Sequence, residues 1–256
     1  MIDTNVYVSQ WPFRRLNGDE PARLVAKLND AGVEQACAGS FEGILERDIA
    51  GVNNRLAETC HSFGNGMLIP FGTVNPKLPD WQEDVRRCHE EHKMPGIRLQ
   101  PNYHGYKLDD PVFAALLKLA TERRLIVQLA LLMEDPRTQS PLMHVPTVEL
   151  APLADVVKGT PGVRLELLNC TSQIGREEYA AALASGDVSM DISMVEGVAG
   201  LARLVRQVPL ARVLFGSYHP FYYFESAALK VRESGLDEAS QKAICVENAR
   251  RLMASL

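Results

Sequence analysis

No part of the 256-residue sequence carries a G-x-S-x-G elbow, a lysine-bearing phosphate loop or an H-E-x-x-H helix. Serine-hydrolase, nucleotide-phosphate and zincin readings therefore have no anchor. Cysteine is scarce and unpatterned. Cys37, Cys60, Cys88, Cys170 and Cys245 are an odd set without a C-x-x-C pair, so the expectation is reduced thiols in a cytoplasmic protein. Cys60-His61 and Cys88-His89 are adjacent pairs, but neighbours on a helix point about 100° apart and share an ion poorly. No apolar run approaches the roughly 20 residues that span a bilayer, and no charged-then-apolar leader precedes the strand-like run Ile2 to Val8. A membrane partner is not expected. Basic residues are confined to short pairs such as Arg14-Arg15, Arg86-Arg87, Arg123-Arg124 and Arg250-Arg251, within a net charge of -5. Nucleic-acid binding, which needs a concentrated basic face, is not expected either.

What the chain does have is core. Apolar residues make up 46% and charged residues 23%, enough to bury a large interior beneath a solvated exterior. Residues 1–256 read as a single domain of the size that α/β barrels occupy. Eight β-branched runs alternate with segments of helical period: Met1 to Tyr7, Glu34 to Ser40, Met67 to Val74, Gly96 to Pro101, Leu125 to Met133, Val163 to Asn169, Val188 to Val195, and Arg212 to Tyr218. Helix starts fall between them. Asp110-Pro111 precedes Phe113, Leu116, Leu117 and Ala120 at three- and four-residue spacing. Asp19 and Pro21 precede Leu24, Val25 and Leu28, with Gly32 as the stop. Asp80 precedes Trp81, Val85 and Cys88. This pattern predicts an α/β fold, a single (β/α)8 TIM barrel. An open doubly wound sheet is the alternative, disfavoured because Trp11-Pro12-Phe13-Arg14-Arg15, and no glycine-rich loop, follows the first strand.

Five stretches then stand out together: Ile2-Asp3-Thr4-Asn5-Val6-Tyr7, Gly96 to Tyr103, Leu108 to Pro111, Arg212-Val213-Leu214-Phe215-Gly216-Ser217, and Glu247 to Leu252. In this order the sequence resembles the amidohydrolase-related family, which includes aminocarboxymuconate-semialdehyde decarboxylase-like barrels. The resemblance implies a metal held by an Asp-x-His-x-His first strand, a histidine on the fifth, often another at the end of the sixth, and an aspartate after Gly-Ser on the eighth. At those places this sequence has Asn5 and Tyr7, Ala130, Asn169, and Tyr218. Alanine has no donor, asparagine is a weak neutral ligand for zinc, and a tyrosine of ordinary pKa about 10 must first lose its proton. The expectation is a degenerate metal site with no cofactor.

Inward parity taken from those ligand positions collects Asp3, Asn5, Tyr7, Arg98, Gln100, Gln128, Asn169 and Tyr218 at the barrel mouth. His104, Glu134, His144 and His219 are added from loops, and Asp191 or Ser193 from the seventh strand. Tyr7, His104 and Tyr218 are the candidates for proton transfer. Arg98 is the candidate anchor for an anionic group, with Asn5, Gln100, Gln128, Asn169, Asp191 and His219 as further substrate-binding candidates. An equally weighted reading has these groups only satisfying one another, with Arg98 paired to Asp3 or Asp191. His104 reads about as well as an exposed loop residue. The stretch Thr138 to Pro146 is long enough for a lid. Phe221-Tyr222-Tyr223-Phe224, close to Trp11 and Phe13, suits a pocket wall or a homo-oligomer contact.

Three functions follow. The first is a metal-independent or impaired hydrolase or lyase acting on a small carboxylate or carbonyl compound. The second is a non-catalytic barrel that binds a metabolite or a protein partner. The third is a hydrolase with a divalent metal relocated among His104, His144, His219 and Asp191.

Overall fold

The computed structural model describes residues 1–254. Eight parallel strands follow one another around a sheet in sequence order: β1 (Ile2–Val8), β2 (Gln35–Ser40), β3 (Leu68–Thr73), β4 (Gly96–Leu99), β5 (Ile126–Ala130), β6 (Arg164–Leu168), β7 (Asp187–Asp191) and β8 (Val213–Leu214). The sheet closes through the chain just beyond β8. Phe215 O accepts from Thr4 N, Tyr218 N donates to Asn5 O, and Tyr7 N donates to His219 O, at 2.9, 2.8 and 2.9 Å. The fold is a (β/α)8 TIM barrel, with its functional end at the carboxyl ends of the strands.

The helices form where apolar spacing demands. Helix Pro111–Glu122 buries Phe113, Leu116, Leu117 and Ala120, helix Pro21–Asp30 buries Leu24 and Leu28, and helix Trp81–Glu90 buries Trp81, Val85 and Cys88. Neither Asp80 nor Asp110 caps with its side chain. Asp110 instead accepts from Lys107 N in the preceding turn, so proline at the first helical position marks that start. All five cysteines are free. Cys88 is buried and His89 exposed, as divergent helix neighbours should be.

Inside the barrel the side chains form three layers. The floor is apolar, made by Ile2, Cys37, Phe71, Ile126 and Leu214 and closed from below by Ala249 and Leu252 near the C-terminal end. The middle is polar, with Asp3, Asn5, Arg98, Gln128, Glu166, Asn169 and Asp191 all buried. The roof is aromatic and sulfur-rich: Tyr7, Trp11, Phe41, Met133, Met194 and Tyr218, with Tyr103, Phe221 and Tyr222 packed against them. β7 and β8 end earlier than their apolar runs suggest. Residues 192–195 and 215–218 leave the ladder to build the mouth, and Asn169 and Tyr218 adopt φ of 58° there. Asparagine tolerates that left-handed region; for a bulky tyrosine it is unusual, and the hydrogen bonds to β1 hold it.

Candidate active site

The polar layer begins at an irregularity. The register of β1 on β2 shifts between Asp3 and Val6, and Arg98 supplies donors across that stretch. Its Nε donates to Gln128 Oε1 at 2.8 Å and its terminal nitrogens donate to the carbonyls of Val6, Cys37 and Thr4 at 2.7, 2.9 and 3.3 Å. The guanidinium lies 4.5 Å from the Tyr7 ring centroid. A Cβ on Gly39 would fall 2.7 Å from Arg98 Cδ, so glycine there makes the room. Arg98 therefore meets neutral acceptors, and neither Asp3 nor Asp191 is its partner. Gln128 passes the connection on, since its Nε2 donates to Thr4 O and to Glu166 Oε2, both at 2.8 Å.

A second network joins the strands on the opposite side. Asn5 Nδ2 donates to Asn169 Oδ1 at 2.8 Å and to Asp191 Oδ2 at 2.7 Å. Asp191 Oδ1 accepts from Asn169 N at 3.0 Å, Ser193 Oγ donates to Asn169 Oδ1 at 3.2 Å, and Asn169 Nδ2 donates to Leu132 O at 2.6 Å. Asp3 Oδ1 accepts from the backbone of Asn5 and Ser217 at 3.1 and 2.9 Å. The structure thus brings Asn5, Asn169, Asp191 and Ser193 together, as strand parity anticipated.

Burial dominates the electrostatics. It pushes the Asp3 carboxyl up to about 7 against the opposing hydrogen bonds from Ser217 and Asn5. It pushes Glu166 up to about 8, with Asp191 adding to the rise. Asp191 is raised as well, again by desolvation first. Glu166 went unread in the sequence, although Arg164-Leu165-Glu166-Leu167-Leu168 places one acid inside a fully buried strand. That alternation, paired in register with Gln128, is the signal that finds it.

Other predicted residues lie around the roof. Tyr7 Oη meets Met133 Sδ at 3.7 Å, while Tyr218 Oη donates to Met133 O at 2.6 Å. Burial raises the pKa of both phenols, which keeps them protonated. Tyr7 stacks on Phe41 at 4.4 Å and Tyr218 on Phe221 at 4.9 Å, and Trp11 meets Phe221 edge-on at 5.0 Å. Ala130 packs within the same layer. His104 is not an exposed loop residue: it ends the short helix Pro101–His104, buried, with Nε2 2.8 Å from Gly43 O. Burial lowers its pKa to about 4, so the ring is neutral near pH 7. His219 faces the outer layer. Its Nδ1 lies 3.1 Å from Tyr222 O, and Lys27 and Glu225 are its charged neighbours. His144 is exposed.

The segment after β5 covers the mouth. Glu134 pairs with Arg14 beyond β1, Asn102 beyond β4 donates to Pro146 O, and Thr147 Oγ1 meets Gln173 Oε1 beyond β6 at 2.6 Å. Gln139 braces it from within through the backbone of Glu134 and Val145. Beside it a cavity of about 210 Å³ lies between Asp135, Arg137, Thr171, Ser172, Glu196 and Tyr222.

Several buried side-chain atoms have no protein hydrogen-bond partner, among them Asp3 Oδ2, Asn5 Oδ1, Thr73 Oγ1, both amide atoms of Gln100, His104 Nδ1 and Glu166 Oε1. Among the described residues, no three His, Cys, Asp or Glu side chains converge as metal ligands. The relocated constellation of His104, His144, His219 and Asp191 is therefore not assembled in this conformation. No helix is long and apolar enough to cross a membrane among the described residues.

Comparison with solved structures returns the same barrel. A dihydroxybenzoic acid decarboxylase from Polaromonas, solved with bound manganese and the inhibitor 2-nitroresorcinol, superposes with a TM-score of 0.76 at 13% identity, over 99% of this chain and 96% of that one. The 2,6-dihydroxybenzoate decarboxylase from Rhizobium gives 0.73 at 13% identity over 99% of both chains. The 5-carboxyvanillate decarboxylase from Sphingomonas paucimobilis gives 0.69 at 14% identity, over 90% of this chain and 81% of that one. At such identities the likeness establishes the fold. No curated protein sequence matches the chain. The sequence profile described as Amidohydrolase matches residues 9–253, nearly the whole length, and the chain belongs to the amidohydrolase family.

Proposed function

We propose that the protein is a hydrolase or lyase acting on a small carboxylate or carbonyl compound, in which the carboxyl groups of the barrel interior move the proton. One observation carries the reading. In the polar layer that holds Asn5 and Asn169, beneath Tyr7, Ala130 and Tyr218, Asp3 and Glu166 are pushed to about 7 and about 8 and each keeps an oxygen without a protein partner. Leaving a buried polar atom unpaired costs about 1–3 kcal/mol, and carboxyls poised near neutrality suit general acid–base work. A carboxylate form can take a proton from water attacking a carbonyl carbon. A protonated form can give its proton to the carbon from which CO2 departs as the C–C bond breaks. Gln100 and His104, with open polar atoms on the β4 side, are assigned to holding the substrate, and Asn5 and Asn169 to orienting it. Tyr7 and Tyr218 are assigned to gating, because their hydroxyls meet Met133.

The donor set does not fit the family's metal. Ala130 offers nothing, Asn5 offers only the neutral Oδ1 of an amide whose Nδ2 is bonded to Asn169 and Asp191, both Asp191 oxygens accept from Asn5 or Asn169, and the two phenols remain protonated. The test is a panel of aromatic and aliphatic carboxylates and keto acids offered to chelator-treated protein, followed by CO2 release and by product analysis. Asp3→Asn and Glu166→Gln should each lower kcat by about 10²–10⁴-fold, the usual span for an acid–base group. Turnover that appears only with added divalent metal, or that both variants retain in full, would reject the assignment.

The closed roof favours a second reading, a non-catalytic barrel binding a metabolite. Saturable binding without turnover across the panel would select it. A homo-oligomer contact at Tyr223, 71% exposed beside the Phe221 and Tyr222 corner, is checked by sedimentation of wild type against Tyr223→Ser.

A further inference from the structure

We infer a second small-molecule site, outside the barrel wall, that takes an aromatic monocarboxylate. Between helices Arg176–Ala184 and Gly200–Leu204, above the ends of β6 and β7, lies a cavity of about 300 Å³, at the lower end of ordinary ligand sites. Its floor is apolar: Ile174, Tyr179, Met190, Met194 and Leu204. Thioethers and a tyrosine ring make an adaptable surface that favours a flat aromatic body through sulfur–aromatic contact. Its rim carries two guanidinium groups, Arg176 and Arg203. Neither has a carboxylate partner among the described residues; Arg203 donates only to the carbonyl of Val198.

One acid, Glu196, also lines the cavity; Arg137, which lines the adjoining cavity with it, and Lys230, bonded to the carbonyls of Ile192 and Ser193, are its charged neighbours. Ser172 adds a hydroxyl. Two cations over an apolar floor match a carboxylate that needs one planar, two-pronged partner and a place for its ring. The site is distinct from the axial layer, since none of Asp3, Asn5, Gln100, Glu166 and Asn169 lines it, and it adjoins the cavity at the mouth through Thr171, Ser172, Met194 and Glu196.

The eight methionines provide the readout. In protein labelled with ¹³C at the methionine methyls, titration with benzoate should shift the Met190 and Met194 resonances and leave Met94 and Met133 in place. Benzamide, the neutral isostere, should bind at least tenfold more weakly. Arg176→Gln with Arg203→Gln should weaken benzoate by tenfold or more, whereas Arg206→Gln, an exposed arginine outside the lining, should not change it. Both substitutions are at exposed positions, so the fold should persist, with an unchanged melting curve as the check. Equal binding of acid and amide, shifts confined to Met133, or no shift up to millimolar benzoate would each overturn the proposal.

Discussion

Arg98→Ala tests whether the interior cation is structural. The side chain holds Gln128 Oε1 and three main-chain carbonyls beside the register shift of β1 on β2. Thr4 O keeps a second donor in Gln128 Nε2, and the ladder of β1 on β2 around the Val6–Ala38 pair serves the carbonyls of Val6 and Cys37, so Gln128 Oε1 is the acceptor left without a substitute. At about 1–3 kcal/mol for a buried acceptor left open, the loss is about 1–3 kcal/mol. The guanidinium over the Tyr7 ring adds about 1 kcal/mol. A total of about 2–4 kcal/mol is a large share of the roughly 5–15 kcal/mol that holds a domain together. For a chain of this length it corresponds to a melting temperature about 4–16 °C lower. Urea unfolding followed by circular dichroism measures it. Arg98→Lys, which keeps the charge but only part of the donor set, should fall between. A loss below about 1 kcal/mol, together with an abolished affinity for carboxylates, would refute the structural account and return Arg98 to the role of substrate anchor.

Further outcomes follow from the same geometry. Asp3 and Glu166 have folded pKa values above those of the unfolded chain, so between about pH 4 and 8 the native state holds protons that the unfolded state has released. Their contribution is therefore complete below about pH 4 and is lost as pH rises through about 7 and 8, with a slope of up to about 1.4 kcal/mol per pH unit for each group. Glu166→Gln should flatten that decline in urea titrations from pH 5 to 9, and an unchanged slope would contradict the assigned burial. Tyr218→Phe removes the donor to Met133 O and should cost about 1–3 kcal/mol, with faster amide exchange over residues 133–148; protection as in wild type would show that the latch is idle. Chelator should leave the melting temperature unaltered, while Asn5→His, Tyr7→His, Ala130→His and Tyr218→Asp made together should take up zinc stoichiometrically. Stoichiometric zinc at the axis of the unmodified protein would mean the ligand positions are wrongly assigned.

The barrel was legible because β-branched runs and helical apolar spacing alternate eight times, and that periodicity survives any change at the axis. Asn5, Asn169 and Asp191 were also legible, since strand parity decides which residues share an interior layer. Other features depend on distant backbone and were not. The sequence offers Asp3 or Asp191 as partners for Arg98, but a carbonyl freed within a register shift, as at Thr4, leaves no mark in it. His104 looked like a surface residue until a one-turn helix carried it under Gly43. Met133, which receives both phenols, reads as an ordinary apolar residue at a strand end.

The apolar floor and the aromatic roof have a kinetic consequence for the layer between them. A proton on Asp3 or Glu166 lies between that floor and the roof of Tyr7, Tyr218 and Met133, so its exchange with solvent should be slowed to the rate at which the roof parts. The interior would then hold the charge state it had when the barrel last closed. After a pH jump, carboxyl infrared bands from this layer should relax at the rate of mouth opening, lagging behind surface carboxylates. The roof would act as a clock on the chemistry beneath it as well as a lid.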